Sequence, residues 1–188
     1  RFVWEGMHFA ASFNNEGAFE PGGYLTDYWT DEAIKVIQAN KNRPFFLYLA
    51  HWGVHAPLQA TREDYEAVGD IEPHRLRVYA AMIRALDRSV ARIHDALEAE
   101  GLADNTIVII MGDNGHFTKY SPQSGYTPMV FRGGKGYTTE GGVRVDAFVR
   151  WPGVIEADSV VGDIVHVADL YTTLARIGGA YDDIPRDR

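Results

Sequence analysis

Short apolar runs separated by longer amphipathic segments make up most of this sequence. The run 45–50 reads Phe-Phe-Leu-Tyr-Leu-Ala, and the run 106–111 reads Thr-Ile-Val-Ile-Ile-Met. Consecutive apolar positions are typical of strands covered on both faces, as in parallel sheets, so both runs are predicted to be buried strands. A third strand is predicted from Val143 to Trp151, because Pro152 and Gly153 follow it and end the run.

The longest amphipathic segment predicts a helix of about seven turns between the first two strands. It begins at Pro73, a residue suited to a first helical turn, and ends at Gly101. Its apolar residues are three and four positions apart. They form one stripe that we expect to face the core: Leu76, Tyr79, Ile83, Leu86, Val90, Ile93 and Leu97.

Two shorter helices complete the pattern. One is predicted from Thr30 or Asp31, either of which can cap a helix, to about Asn40. The other carries apolar residues on one face over 167–177 and ends at a pair of glycines. Helices that alternate with buried strands predict an α/β sandwich in which helices flank a mainly parallel sheet.

The net charge of the sequence limits which classes of molecule it can bind as a main partner. The 188 residues include 18 Lys+Arg and 26 Asp+Glu, which gives a net charge of -8 at pH 7. This charge argues against nucleic acid or an anionic membrane surface as the main partner, because both require a basic surface. No apolar run is long enough to span a bilayer. The absence of cysteine excludes disulfides, thiolate zinc sites and a cysteine nucleophile within these residues.

Two histidines follow the first predicted strand. His51 and His55 have the spacing of a zinc pair on a helix, but Gly53 and Pro57 disfavour a helix there, and Trp52 stands where a metalloprotease needs glutamate. Each histidine is either a loop residue bonded to backbone or a functional residue at the carboxyl end of a strand.

A second polar cluster, Asp113-Asn114-Gly115, follows the strand 106–111. Asp-Asn-Gly is common turn chemistry. Asp and Asn also provide the hard oxygen ligands that calcium and magnesium take, and ligands of α/β sheets gather at the carboxyl ends of strands. Spacing alone leaves a plain turn and a divalent cation site as equal alternatives.

The third cluster is the glycine-rich stretch Gly133-Gly134-Lys135-Gly136. A phosphate-binding P-loop would need glycine at 129 and serine or threonine at 136, where this sequence has Met129 and Gly136, so that class is excluded. What is left is a lysine among glycines that let backbone approach a ligand closely, and its charge suits an anionic oxygen. A solvated surface loop is the alternative.

Taken in order, these stretches resemble the sulfatase family of the alkaline-phosphatase-like superfamily. The resemblance implies an alkaline-phosphatase-like sandwich that hydrolyses a sulfate monoester, such as an aryl or sugar sulfate. The motifs that carry it are Pro44 to Ala50 with His55-Ala56-Pro57, Leu102 to Thr106, Asp113-Asn114-Gly115, Gly133 to Gly136, Glu140 to Arg144, Trp151-Pro152-Gly153 and Asp169-Leu170-Tyr171.

By this resemblance Asp113 and Asn114 are two ligands of a calcium ion, with magnesium the less expected metal. Lys135 contacts the sulfate and the leaving-group oxygen, and His55 hydrogen-bonds the sulfate near the scissile bond. A cation and a fixed lysine suit sulfuryl transfer, which places negative charge on these oxygens. A histidine can hold or donate a proton there.

The family's nucleophile is a formylglycine made from a Cys/Ser-x-Pro-x-Arg motif, which normally lies upstream of these motifs and is absent from this sequence. Residues 1–188 are therefore expected to be a single partial catalytic domain, its carboxyl-terminal part, and to be inactive alone. Substrate specificity is expected from residues 1–29 and 116–131. The aromatic residues of the second loop, Phe117, Tyr120 and Tyr126, could line a pocket or belong to the core or surface.

Two other functions compete with this interpretation. One is a phosphonate or phosphate-ester hydrolase of the same superfamily, although such relatives usually have Asp-His-Gly at the position of Asp113-Asn114-Gly115. The other is a non-catalytic module that binds an anion or calcium. The resemblance fits periplasmic, secreted and lysosomal compartments without distinguishing them from the cytoplasm, and it sets no oligomeric state.

Overall fold

The computed structural model describes residues 11–14, 16–116 and 131–184. The chain divides into two compact units, Arg1–Val154 and Ile155–Arg188. In chain order the described elements are α1 (Leu25–Asn40), α2 (Arg62–Ala67), α3 (His74–Ala99), a 3-10 turn (Ala103–Asn105), β1 (Val108–Met111), α4 (Glu140–Val143), β2 (Ala147–Arg150), α5 (Val167–Ile177) and a second 3-10 turn (Tyr181–Asp183). The assignment of residues 1–188 to one partial catalytic domain stays a prediction.

Helix α1 begins earlier than the sequence predicts, although its end is as predicted. The expected start at Thr30 or Asp31 is wrong, because the helix begins at Leu25 and Thr30 lies in its middle. Thr30 is fully buried, and its hydroxyl donates to the carbonyl of Thr26 at 2.7 Å. Since the hydroxyl is satisfied within the helix, Thr30 packs as a small buried residue and caps nothing.

Helix α3 has the predicted length but a different buried face. Pro73 occupies its N-cap, and Gly101 follows its end with a φ of 69°. Ile83, from the predicted stripe, is 48% exposed. Small residues on the buried face let α3 pack closely against α1 and α2, a choice that depends on its neighbours. The buried residues of α3 are Ala81, Met82, Ala85, Ser89 and Leu97, of which only the last belongs to the predicted stripe.

Part of the predicted stripe does face the sheet. Val90 lines a groove together with Val108 of β1 and Phe148 of β2. Ile93 packs against a small core whose buried members are Ile37, Leu97 and Ala103. The expectation that α3 packs on the sheet through this stripe is therefore confirmed for these positions and wrong for Ile83.

The sheet of the described residues has two strands and is antiparallel. Strands β1 and β2 pair from Val108 opposite Arg150 to Met111 opposite Ala147. The expected mainly parallel sheet is not confirmed. An apolar run indicates burial, whereas the direction of pairing depends on a distant partner that the local pattern does not encode. Antiparallel pairing places the carboxyl end of β1 beside the amino end of β2.

The segment 45–50 forms no strand with any described residue, so the prediction of a strand there is wrong. Its two faces also differ. Phe45 and Leu47 pack against the small core, whereas Phe46 and Tyr48 are 75% and 80% exposed. Strand assignment requires hydrogen bonds to a partner segment, and hydrophobicity alone does not supply that partner.

The strand predicted from Val143 begins only at Ala147. The residues before it form α4, in which the N–H groups of Gly142 and Val143 donate to the carbonyl of Thr139 at 2.8 and 3.3 Å. This turn of helix uses backbone groups that a strand would present to a neighbour. The predicted end of the strand at the Trp-Pro-Gly sequence agrees with the structure to within a residue.

Helix α5 belongs to the second unit and confirms the last predicted helix. Its N-terminus is capped by His166, whose Nδ1 accepts from the Ala168 N–H at 3.1 Å, while Asp169 accepts from the His166 N–H at 2.8 Å. Gly178 follows its last turn as expected. Among the helices the structure describes, none combines the length and the apolar character needed to cross a membrane.

Candidate functional site

Asp113 and Asn114 leave the sheet at the carboxyl end of β1. The N–H of Gly112 donates to the carbonyl of Asp146 at 3.2 Å, so this loop starts beside the residues that lead into β2. Asp113 is exposed, and Asn114 is half-buried. The Asn114 amide donates to the Gly115 carbonyl at 2.9 Å, which orients the side chain and leaves its Oδ1 available as an acceptor.

The glycine-rich stretch packs directly against this loop. The N–H of Lys135 donates to the carbonyl of His116 at 2.7 Å, and the N–H of Gly115 donates to the carbonyl of Gly142 at 3.0 Å. A third bond, from the Gly141 N–H to the Arg132 carbonyl at 2.8 Å, closes the stretch on itself. We call residues 112–116 and 132–142 together the glycine cradle. It brings the second and third clusters of the sequence together through backbone groups.

Close backbone contact explains why glycines are required in the cradle. A Cβ at Gly115 would overlap the carbonyl of Gly141, and a Cβ at Gly142 would overlap the carbonyl of Tyr137. The overlapping atoms are backbone, which cannot rotate away as a side chain can. These glycines therefore serve close packing of chain segments, a use that the sequence suggested only for contact with a ligand.

Lys135 lies in a tight turn of the cradle. The N–H of Tyr137 donates to the carbonyl of Gly134 at 2.9 Å, and Gly136 has a φ of 90°, a conformation that favours glycine. The lysine is half-buried, and no carboxylate of the described residues forms an ion pair with it. The backbone of Lys135 is thus fixed beside the Asp113–Asn114 loop, and its side chain has no ion-pair partner among the described residues.

His55 lies on a different loop, against α3. Its Nδ1 donates to the carbonyl of Ala56 at 2.8 Å, because a carbonyl can only accept, and this leaves Nε2 for another partner. The His55 N–H donates to the Trp52 carbonyl at 2.8 Å and closes a turn. The hydrogen bonds between described residues do not connect His55 with the glycine cradle, so the meeting of His55 with Asp113 and Lys135 stays a prediction.

His51 makes separate contacts from those of His55. Its Nε2 lies 2.9 Å from the hydroxyl of Ser89 in α3, and the ring is half-buried. Burial lowers the pKa of His51 below its ordinary value and favours the neutral ring. The two histidines are therefore engaged by different groups, one by a helix hydroxyl and the other by its own loop.

The buried ion pairs of Asp64 were missed by the sequence analysis. Asp64 in α2 is fully buried and bonded to Arg84 and Arg88 of α3. The Thr61 hydroxyl also donates to it at 2.7 Å. Burial alone would raise the pKa of Asp64, but the hydrogen bonds from Arg88, Thr61 and Arg84 outweigh it and lower the pKa. The two arginines four residues apart were the available signal, since they present one cationic edge of α3.

The donor atoms at the end of β1 fit a hard divalent cation. Asp113 offers two exposed carboxylate oxygens and Asn114 offers an amide oxygen whose N–H side is already bonded elsewhere. Calcium and magnesium take oxygen ligands of this kind. Calcium takes about six to eight oxygens, so further ligands would have to come from other groups.

A second group of candidate ligands, His94, Asp95 and Glu98, lies on α3. Its acidic members are exposed, and His94 Nδ1 lies 3.8 Å from Glu98 Oε1 in an ordinary i,i+4 pair. This arrangement is typical of a solvated helix face. It shares no residue with the glycine cradle.

Solved structures define the class of protein to which this fold belongs. The chain matches Ps i-CgsB, solved in complex with k-i-k-neocarrahexaose, with a TM-score of 0.80 and 35% identity over 88% of this chain and 36% of that one. It matches the PsFucS1 sulfatase from Pseudoalteromonas sp. with a TM-score of 0.76 and 27% identity over 94% of this chain and 36% of that one. These neighbours have the alkaline-phosphatase-like fold, and this chain corresponds to a part of it.

The family profile named Sulfatase matches residues 4–180, and the chain therefore belongs to the sulfatase family. Arylsulfatase J of Mus musculus is 33% identical over 181 residues, covering 93% of this chain and 30% of that protein. A sulfatase of Formosa agariphila is 37% identical over 172 residues, covering 84% and 30%. Steryl-sulfatase of Mus musculus is 36% identical, covering 88% of this chain and 26% of its own length. The chain thus spans less than a third of these relatives.

Proposed function

We propose that this chain forms the metal-binding and sulfate-contacting part of an enzyme that hydrolyses sulfate monoesters. The observation that carries the proposal is the hydrogen bond from the Lys135 N–H to the His116 carbonyl, at 2.7 Å. It holds a lysine without a described counter-charge beside the loop of Asp113 and Asn114. Membership of the sulfatase family supplies the reaction class, and an aryl or sugar sulfate is the proposed substrate.

Lys135 is proposed to stabilise charge that develops during the reaction. A sulfate monoester is an anion, and cleavage of its S–O bond places further negative charge on the leaving oxygen. A cation positioned by its own backbone, with no carboxylate to release, requires little reorganisation as that charge appears. The tight turn around Gly136 supports this role because it fixes where the lysine leaves the cradle.

Asp113 and Asn114 are proposed to hold calcium, with magnesium the less expected metal. When bound, the ion would supply positive charge that polarises the sulfate oxygens. Asp113 contributes the negative charge that attracts the cation. Asn114 contributes an oxygen whose direction is set by its bond to the Gly115 carbonyl.

His55 is proposed to contact the sulfate through Nε2. Because Nδ1 is engaged by the Ala56 carbonyl, Nε2 is the ring nitrogen that can exchange a proton with an ester oxygen. A neutral ring would accept at this nitrogen, and a protonated ring would donate from it.

The nucleophile, a formylglycine, is proposed to belong to the rest of the protein. This sequence has no cysteine and no Ser-x-Pro-x-Arg motif, and it covers only 26–30% of the length of the relatives named above. The 188 residues alone are therefore expected not to turn over a chromogenic aryl sulfate. Turnover by the purified chain would show that the chemistry has been assigned to the wrong groups.

The roles of Lys135 and Asp113 can be separated in the full-length protein by measuring 4-nitrophenyl sulfate turnover and bound calcium. Lys135→Ala should lower turnover by about 10²–10³-fold, the effect of removing one pre-positioned charge, with calcium retained. Asp113→Ala should lower both turnover and calcium content. Matched surface controls are Lys41→Ala and Asp104→Ala, which should change neither quantity.

Two results would overturn this proposal. One is wild-type calcium and turnover in Asp113→Ala, and the other is wild-type turnover in Lys135→Ala. Faster hydrolysis of 4-nitrophenyl phosphate than of the sulfate by the unmodified protein would favour the phosphate-ester alternative. Calcium binding without turnover of either ester would favour the non-catalytic module.

A further inference from the structure

A row of buried hydrogen-bonding groups connects the loop of His55 to two helices. His51 Nε2 lies 2.9 Å from Ser89 Oγ, and Ser89 Oγ lies 2.6 Å from Thr30 Oγ1. Thr30 Oγ1 in turn lies 2.7 Å from the carbonyl of Thr26. Ser89 and Thr30 have no exposed surface. The row thus runs from the loop through α3 into α1 without reaching solvent at either hydroxyl.

The carbonyl at the end of this row determines the direction of every bond. Thr26 can only accept, so the single hydroxyl proton of Thr30 is donated to it. Thr30 must then accept from the Ser89 hydroxyl, and Ser89 must accept from His51. His51 therefore carries a proton on Nε2, and because its burial favours the neutral ring, Nδ1 is the unprotonated nitrogen. Its Nδ1 is buried and has no hydrogen-bond partner among the described residues.

The row holds the loop at a point close to His55. Gly53 rests on α3 as well, because the position of a Cβ there would be 3.2 Å from Leu86. Leu86 and Ser89 are neighbours on one face of α3, so the loop is seated on that face at two successive places. The turn closed by the His55 N–H and the Trp52 carbonyl follows directly.

We propose that His51 is a positioning residue that holds His55 in place through its bond to Ser89. The inference rests on the proposed function of His55, and nothing in the sequence motifs or the relatives assigns a role to His51. His51 contacts no substrate in this proposal. It acts by keeping a neutral N–H donor at the one location where Ser89 can accept it.

A double-mutant cycle in the full-length protein tests this proposal. His51→Leu replaces the imidazole by an apolar side chain of similar volume and removes the hydrogen bond to Ser89. We expect it to lower kcat on the order of tenfold, because the loop that carries His55 loses this bond to α3. His51→Gln keeps a neutral donor near the Nε2 position and should restore most of that loss. In a His55→Ala background, His51→Leu should have no further effect on kcat, because its effect passes through His55.

The controls separate positioning from general stability. Folded fraction is measured by thermal unfolding for every variant, and kcat is referred to folded protein. Ser89→Ala should behave as His51→Leu in the cycle, whereas His94→Gln, on the solvated face of α3, should change nothing.

Each outcome has a defined meaning. Independent, multiplicative effects of His51→Leu and His55→Ala would overturn the positioning role, as would failure of His51→Gln to restore kcat. If His55→Ala alone keeps wild-type turnover, the proposed function of His55 fails, and with it the catalytic meaning of His51. Undiminished kcat in a folded His51→Leu variant would overturn the positioning role while leaving that of His55 intact.

Discussion

The glycine cradle and the loop of His55 are held in place by different kinds of contact. In the cradle, backbone meets backbone: Lys135 bonds to His116, and Gly115 bonds to Gly142. The loop of His55 is held by side chains instead: His51 bonds the loop to α3, and Ser89 continues the contact to α1. Side chains also bond α2 to α3 nearby, through Asp64. We call these side chains together the helix anchor. The anchor consists of Thr30, His51, Asp64, Arg84, Arg88 and Ser89.

Because of this difference, the two regions should tolerate amino-acid substitutions differently. Side chains can be replaced by others that present the same donor or acceptor, so the anchor should accept conservative substitutions. Backbone segments in direct contact have no room for any side chain, so the cradle should accept none at its closest points.

The largest effect is expected for Gly115→Ala in the cradle. The new methyl group would overlap the Gly141 carbonyl, and backbone cannot move aside without breaking the bonds around Lys135. The loss should exceed the upper end of ordinary overpacking, about 3 kcal/mol. Thermal and urea unfolding of the full-length protein measure it, together with turnover.

Gly17→Ala is the matched control, because nothing lies within 4 Å of the position where its Cβ would be. It should leave the unfolding midpoint unchanged. If Gly115→Ala proves as harmless as Gly17→Ala, the cradle is not held by close backbone contact, and the comparison fails at that point.

A smaller loss is expected for Asp64→Asn in the helix anchor. The amide keeps the shape and one acceptor but removes the charge that faces Arg84 and Arg88, which should cost about 2 kcal/mol. Urea unfolding of the full-length protein gives the value. The control is Asp70→Asn, because the Asp70 carboxylate is fully exposed and pairs with Arg77, which also lies in α3. This variant should show no measurable change in the free energy of unfolding. Equal effects of the two variants would contradict the burial of Asp64.

The smallest expected effect is a pH dependence that comes from His51. Burial lowers the pKa of His51 below 6.5, so the folded protein favours the neutral ring that donates to Ser89. The stability that the neutral ring contributes is complete above pH 6.5 and is lost as the pH falls towards the lowered pKa. Thermal midpoints measured from about pH 8 to about pH 5 should therefore decline less on the acid side in His51→Gln than in the unmodified protein. Identical pH profiles would exclude this contribution.

The candidate site was predictable from the sequence only as separate pieces. Asp113 and Asn114 follow an apolar run, and Lys135 lies among glycines, so each was a recognisable position. That Lys135 bonds to His116 depends on the path of the chain between them. The role of Ser89 was hidden for the same reason, since a serine in a helix shows no partner until α1 and the loop of His51 are placed around it.

The local pattern by itself determined the extent of α3 between Pro73 and Gly101, the end of α1 and the whole of α5, because helical hydrogen bonds and caps involve residues within a few positions of each other. Only the tertiary structure decided that β1 and β2 run antiparallel, that the segment 45–50 exposes one face, and that the buried face of α3 includes the small residues Ala81, Ala85 and Ser89. Each of these depends on contacts between segments far apart in the chain. The spacing of apolar residues indicates that a residue is buried, but which residues pack against it depends on the tertiary structure.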